Sequence, residues 1–395
     1  MSARTTILIG GLALALTACT SDAAAPVSPE VAPGAALAAN PQSGAIKDQY
    51  IVVLKAGASP RNSAAAVGVT PRHVYHAALN GFAAQLNAAQ VAALSNNPHV
   101  DYIVPDQVAT ATGSGTQAYP TWGLDRIDQR YRPLNSSFTY PRTGTGVNLY
   151  VLDTGIRFTH TEFGGRAVAG YDAFGGDASD CHGHGTHVAG TAGGSTYGVA
   201  KSVNLISVRV LDCWGYGSTS GIIAGVDWVT ANQVYPSVAN MSLGHPANTA
   251  LDAAVQNSIN SGVTYVIAAG NNNANACNYS PSRVTDAIIV GNTDYTDTRN
   301  PSSNKGVCLD LFAPGTNITS AWYGSDTGTT TMTGTSMAAP HVAGVAAMIL
   351  DAPGYWLTPV DVQYGIDTNA TYNVVNNKGD NSPNRILYTG FIPPN

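Results

Sequence analysis

The chain has 395 residues, 44% of them hydrophobic and 11% charged, with a formal net charge of -6. That composition supplies the core of one large domain plus smaller pieces. With neither a basic stripe nor an acidic tail, it excludes nucleic acid as a partner.

Residues 1–19 carry one basic residue, Arg4, before an uncharged apolar run from Ile7 to Leu16. The run is too short to span a bilayer and reads as an export signal. It ends on Leu16-Thr17-Ala18-Cys19, which resembles a bacterial lipoprotein signal. Two readings stand: lipidation of Cys19, with membrane contact through that anchor alone, or an ordinary signal peptide and free secretion. Residues 20–45, rich in Ala, Pro and Ser, read as a flexible tether. Export permits disulfides, and with Cys19 set aside Cys181, Cys213, Cys277 and Cys308 allow three pairings among which spacing does not choose.

Residues 46–110 form a small α+β segment. Tyr50 to Leu54 reads as a strand, Ala88 to Leu94 as a short helix and His99 to Val104 as a closing strand. Ala109 to Thr116 is an exposed Gly/Ser/Thr linker where nicking is expected. In the remaining domain, 116–395, the apolar runs Val147–Leu152, Val203–Val210, Val238–Leu243 and Val263–Ala269 read as strands buried on both faces. Helical patterns over Ser218–Asn232 and Ala250–Ser261 alternate with them, which predicts an α/β fold with a doubly wound parallel sheet and helices on both faces.

Ligands of such sheets meet the carboxyl ends of the strands, where Asp153, Ser242 and Asn271 fall. Ser336 precedes the apolar run Val342–Leu350, with Pro340 suited to the first turn of that helix. Alone it reads as an N-cap serine; as a nucleophile it needs a base. His182, His184 and His187 offer two chemistries, a zinc hydrolase centred on all three, or a general base at His184 oriented by Asp153 and serving Ser336.

The segments Asp153-Thr154-Gly155, His184-Gly185-Thr186-His187-Val188-Ala189-Gly190 and Gly334-Thr335-Ser336-Met337-Ala338-Ala339-Pro340-His341, in the order Asp, His, Ser, resemble the catalytic blocks of subtilisin-like serine proteases. The resemblance runs from about Tyr119 to Tyr388 and is nearest the proteinase K and aqualysin branch. It implies a secreted endopeptidase with catalytic Asp153, His184 and Ser336, and with Asn271, in Ala268-Ala269-Gly270-Asn271, as oxyanion donor. It selects the pairings Cys181–Cys213 and Cys277–Cys308. It implies polypeptide substrates lying extended between Gly215-Tyr216-Gly217 and Ser242-Leu243-Gly244, over a primary pocket walled also by Ala268, Ala269 and Gly270. That pocket is small and uncharged, so cleavage after apolar or aromatic residues is expected.

His245 and Tyr216 depart from the family pattern at this cleft. Calcium is the implied cofactor, at Asp310 with the carbonyls of Thr285 and Ala287, and at a second site near Asp125, Asp128 and Gln129, where Tyr131 replaces an acidic residue. Residues 46–110 resemble the pro-domain that serves this family as chaperone and inhibitor, with processing between Ala111 and Tyr119. A monomer is expected, exported or held at the cell envelope. A catalytically silent binding protein on the same fold is the rival class.

Overall fold

The computed structural model describes residues 45–107, 114–352 and 356–394. The export signal, Cys19, the tether as far as residue 44 and linker residues 108–113 lie outside them. Among the described residues no helix is long and apolar enough to cross a membrane.

The first folded segment is a four-stranded antiparallel sheet in the order His73–Tyr75, Gly81–Gln85, Ala45–Leu54, Val100–Gln107. Helices Pro60–Ala65 and Ala88–Ser95 accompany it, and Asn87 and Gln90 close a capping box at the start of the second. Val52, Leu54, Phe82, Leu86, Val91 and Leu94 form a core of its own. The strand Gly81–Gln85 pairs along Ala45–Leu54, although its alanines are weak strand formers and hid it in the sequence.

The larger domain is built on a nine-stranded sheet. Its order is Thr371–Tyr372, Arg385–Ile386, Leu311–Pro314, Ile288–Thr293, Thr264–Ala268, Ser237–Met241, Asn148–Asp153, Asn204–Arg209, Ala167–Asp172. All neighbouring strands pair in parallel except the outermost pair, Thr371–Tyr372 with Arg385–Ile386. Successive side chains of a strand point to opposite faces. Accordingly Leu149, Val151, Val238 and Val266 enter one core, and Tyr150, Leu152, Ala239 and Tyr265 the other.

The first core holds helices His184–Gly193 and Thr335–Leu350; the second holds Thr219–Asn232 and Thr249–Asn260. Every residue of Thr335–Leu350 except Ser336 and Ile349 is buried, as befits a helix that is apolar on all sides. The chain enters the sheet at Asn148–Asp153 and then adds strands first on one side and later on the other. The end of that strand, at Asp153, is therefore a topological switch point.

Candidate active site

Asp153 ends its strand with no exposed surface, and its Oδ1 lies 2.7 Å from Nδ1 of His184. The same oxygen accepts the backbone N–H of Thr154 at 2.7 Å. His184 is the first residue of helix His184–Gly193, and the neighbouring Gly185 is forced by close approach: a Cβ there would stand 2.2 Å from the carbonyl oxygen of Gly155. Burial pulls the His184 imidazole down, but the Asp153 carboxylate, its hydrogen bond and the charge of Asp180 outweigh it, so His184 titrates above the ordinary histidine value.

Asp180 was not legible as a site residue. Its carboxylate accepts the Thr154 hydroxyl at 2.9 Å, the N–H groups of His182, Gly183 and Thr186 at 2.8–2.9 Å, and the Thr186 hydroxyl. It thus satisfies free N–H groups where the His184 helix begins. The sequence signal for it is an acid four residues ahead of the histidine that opens a helix.

The three histidines do not converge on one point, which corrects the zinc alternative. Nδ1 of His184 is engaged by Asp153, Nε2 of His187 faces the carbonyl of Ile318 at 3.0 Å, and the rings of His182 and His184 are 6.4 Å apart. Among the described residues no group of three His, Cys, Asp or Glu side chains is arranged to hold a metal ion.

Ser336 is the second residue of its helix, after Gly334 at the N-cap. The expectation for Pro340 is corrected: the helix begins at Thr335, so the proline lies inside it. Lacking an N–H, Pro340 leaves the Ser336 carbonyl without its helical donor, and the hydroxyl of Ser242 takes that place at 3.0 Å. In return the Ser336 hydroxyl donates to the carbonyl of Ser242 at 3.2 Å and makes no hydrogen bond to His184. Nucleophile–base bonds of this kind commonly close only around substrate.

Asn271 follows strand Thr264–Ala268, and its Oδ1 accepts the Thr335 N–H at 2.9 Å and the Thr335 hydroxyl at 3.2 Å. With the oxygen so held, Nδ2 remains as a donor. A Cβ added to Gly334 would lie 3.4 Å from that Nδ2 and 3.7 Å from the backbone nitrogen of Ser336, so the glycine keeps open a space between two N–H donors. Buried Asn304, which sequence reasoning missed, holds the loop by accepting the N–H groups of Asn272 and Ala274 and donating to the carbonyl of Ala269. It lies 33 positions beyond Asn271, with no local pattern to reveal it.

Two adjoining depressions share Ser242, Leu243, Gly244 and His245. One adds His184, Trp214, Gly215, Tyr216 and Gly217; the other adds Ala268, Ala269, Gly270, Asn271 and Ser336. The predicted cleft residues therefore meet around Ser336. His245 turns Nδ1 to the carbonyl of Pro246 at 2.7 Å, and Tyr216 is 76% exposed. Disulfides Cys181–Cys213 and Cys277–Cys308 are both present; the first ties the loop before His184 to the one carrying Trp214.

The expected cation ligands also group. Asp310 Oδ1, the Thr285 carbonyl and the Ala287 carbonyl surround Nε2 of Gln363 at 3.1, 3.5 and 3.5 Å. At the other locus both oxygens of Asp125 accept backbone N–H groups, from Asn135 and Ser136, whereas Asp128 Oδ1 and Gln129 Oε1 are buried without a hydrogen-bond partner. Orphaned hard oxygens of this kind fit a calcium ion.

Residues 144–388 match the model of the subtilase family, and residues 49–112 that of the peptidase inhibitor I9 family. The chain is 58% identical to an extracellular serine proteinase of Thermus sp. (strain Rt41A), over 80% of this chain and 77% of the relative. It is 48% identical to alkaline serine exoprotease A of Vibrio alginolyticus, over 92% of this chain and 71% of the relative. A solved cold-adapted subtilisin-like serine proteinase superposes with a TM-score of 0.67 at 54% identity, covering 69% of this chain and 99% of that one. The chain belongs to the subtilase family of serine proteases and carries an I9-type pro-domain ahead of its catalytic domain.

Proposed function

We propose that the protein is an exported serine endopeptidase in which Asp153, His184 and Ser336 act as the triad and Asn271 as the oxyanion donor. The observation that carries this reading is the 2.7 Å bond from buried Asp153 to His184, at the rim of the cleft that holds Ser336. In this mechanism the Ser336 oxygen attacks the scissile carbonyl while His184 takes its proton. Asp153 fixes the imidazole tautomer and stabilises the imidazolium. The tetrahedral oxyanion lies between the Asn271 side-chain amide and the Ser336 N–H, a donor pair of which one member is worth about 3 kcal/mol in the transition state. His184 then returns the proton to the leaving amine, the acyl-enzyme forms, and water activated by the same histidine releases the product.

Substrates bind as extended chains along Gly215–Gly217 and Ser242–Gly244, with an apolar or aromatic residue before the scissile bond over Ala268–Gly270. Residues 46–110 act as inhibitor and folding aid, residues 116–395 as the catalytic domain, and cleavage in the linker releases a monomer. Calcium, held by Asp310 with the Thr285 and Ala287 carbonyls and by Asp128 and Gln129 beside Asp125, supplies a structural charge to these loops. Export follows the leader of residues 1–19, and mass spectrometry of the exported N-terminus decides between acylated Cys19 and a free terminus.

The decisive comparison is wild type against Ser336→Ala on a gel and on a denatured protein substrate. The variant is expected to remain a full-length precursor and to cleave nothing; normal processing and activity in it would sink the mechanism. Complete chelation with EGTA is expected to lower the melting temperature before the initial rate, and an unchanged melting temperature would remove the calcium role.

A further inference from the structure

The oxygen cage formed by Asp310 Oδ1 and the carbonyls of Thr285 and Ala287 is filled by the enzyme itself. Gln363, half-buried on helix Pro359–Asn369, places its Nε2 3.1 Å from the carboxylate oxygen and 3.5 Å from each carbonyl. Among the described residues no other donor reaches Asp310 Oδ1, whereas Oδ2 is already taken by the N–H of Ile289 at 2.7 Å. A carboxamide NH2 presents partial positive charge to the kind of all-oxygen set that a hard divalent cation requires.

We infer that Gln363 is a built-in competitor for the cation at this site. Its carboxamide fills the cage when no cation is present, and a calcium ion enters only by displacing it. The inference rests on the reading of Asp310, Thr285 and Ala287 as calcium ligands. It makes the locus self-satisfied at low calcium, with the C-terminal helix still tied to the strand end at Asp310. It also weakens calcium binding by the cost of the contacts that must break.

The test uses mature enzyme blocked at Ser336 with a phenylmethylsulfonyl group, so that autolysis does not intrude. Calcium is titrated by calorimetry into wild type, Gln363→Ala, and each with Asp310→Asn added, and melting is recorded in EGTA and in calcium. Gln363→Ala is expected to bind at the Asp310-dependent site about tenfold more tightly than wild type, the worth of about one hydrogen bond. It is also expected to melt below wild type in EGTA and to recover in calcium. Asp310-dependent binding that is equal or weaker in Gln363→Ala overturns the competitor while leaving the cation site standing. If Asp310→Asn alters calcium binding in neither background, the cation reading fails and the inference with it. Should Gln363→Ala not fold, Gln363→Ser carries the same comparison.

Discussion

The hydroxyl of Thr154 donates to the carboxylate of Asp180 at 2.9 Å and accepts the N–H of Gly185 at 2.9 Å, so the residue after Asp153 is tied to both sides of His184. Asp180 is thus a positioning residue acting through Thr154, Thr186 and the turn at His182 and Gly183. Asp180→Asn would set an amide N–H against donors that need an acceptor. We expect kcat/KM to fall about ten- to a hundredfold, the cost of unmaking one or two such bonds. The acid limb of the pH profile should also move to lower pH, because a negative charge that raises His184 is gone. A profile displaced upward, or unmoved, would contradict this role.

On the proposed mechanism attack requires neutral His184, so activity is expected to be lost as pH falls through its pKa. That pKa lies above the ordinary value of about 6.5. The acid limb of kcat/KM should therefore centre on the alkaline side of an unperturbed histidine. Asp153→Asn should bring it down and lower kcat by about 10⁴, as loss of the tautomer-fixing carboxylate does in triads.

Gly334→Ala would push a methyl group toward Asn271 Nδ2 and the Ser336 N–H. The expected result is a drop in kcat of about 10² to 10³ with little change in KM, similar to Asn271→Ala. Combining the two substitutions should cost scarcely more than either alone, since both empty the same donor pair. Additive losses in steady-state kinetics would show that the glycine acts elsewhere.

Burial lowers His187 and His341 to about 4. The unfolded chain, titrating near 6.5, takes up protons that the folded one refuses. Stability is therefore full above about pH 6.5 and is lost as pH falls toward 4, by up to about 3 kcal/mol for each histidine. Denaturant midpoints of the Ser336-blocked enzyme across that window should fall steadily with pH, and His341→Gln should flatten the slope.

Gly115–Ala118 pairs antiparallel with Ser137–Tyr140, and Lys201 reaches Gln117 at 2.6 Å. Of the window Ala111 to Tyr119, the part from Gly115 to Ala118 is thus engaged in a sheet and not free to lie extended in the cleft. N-terminal sequencing of the mature enzyme should find a start at or before Gly115, and a start at Thr116 to Tyr119 would refute this.

Asp153, His184, Ser336 and Asn271 could be proposed from the sequence because each sits in a dense local block, whereas the pairing of the four cysteines came from the family resemblance, spacing having left three possibilities, and both bonds are present. Strands Asn148–Asp153, Asn204–Arg209, Ser237–Met241 and Thr264–Ala268 were readable because burial leaves long apolar runs, whereas the equally interior Ile288–Thr293 was missed, its apolar run being broken by Gly291 and Asn292. Strand Ala167–Asp172 escaped because it is a half-exposed edge, and Leu311–Pro314 because it is only four residues long. Asp180, Asn304 and Gln363 act through contacts made by folding, and Gln363 stands 53 positions from Asp310. For Asn304 and Gln363 no local pattern announces such contacts.

The paired bonds between Ser242 and Ser336 amount to a latch. Through them the Ser336 hydroxyl is held on the carbonyl of Ser242, the residue just past strand Ser237–Met241, and not on the imidazole of His184. For that hydroxyl to reach His184 it must give up the Ser242 carbonyl, while the reverse bond from the Ser242 hydroxyl to the Ser336 carbonyl can stay and hold the start of the helix in place.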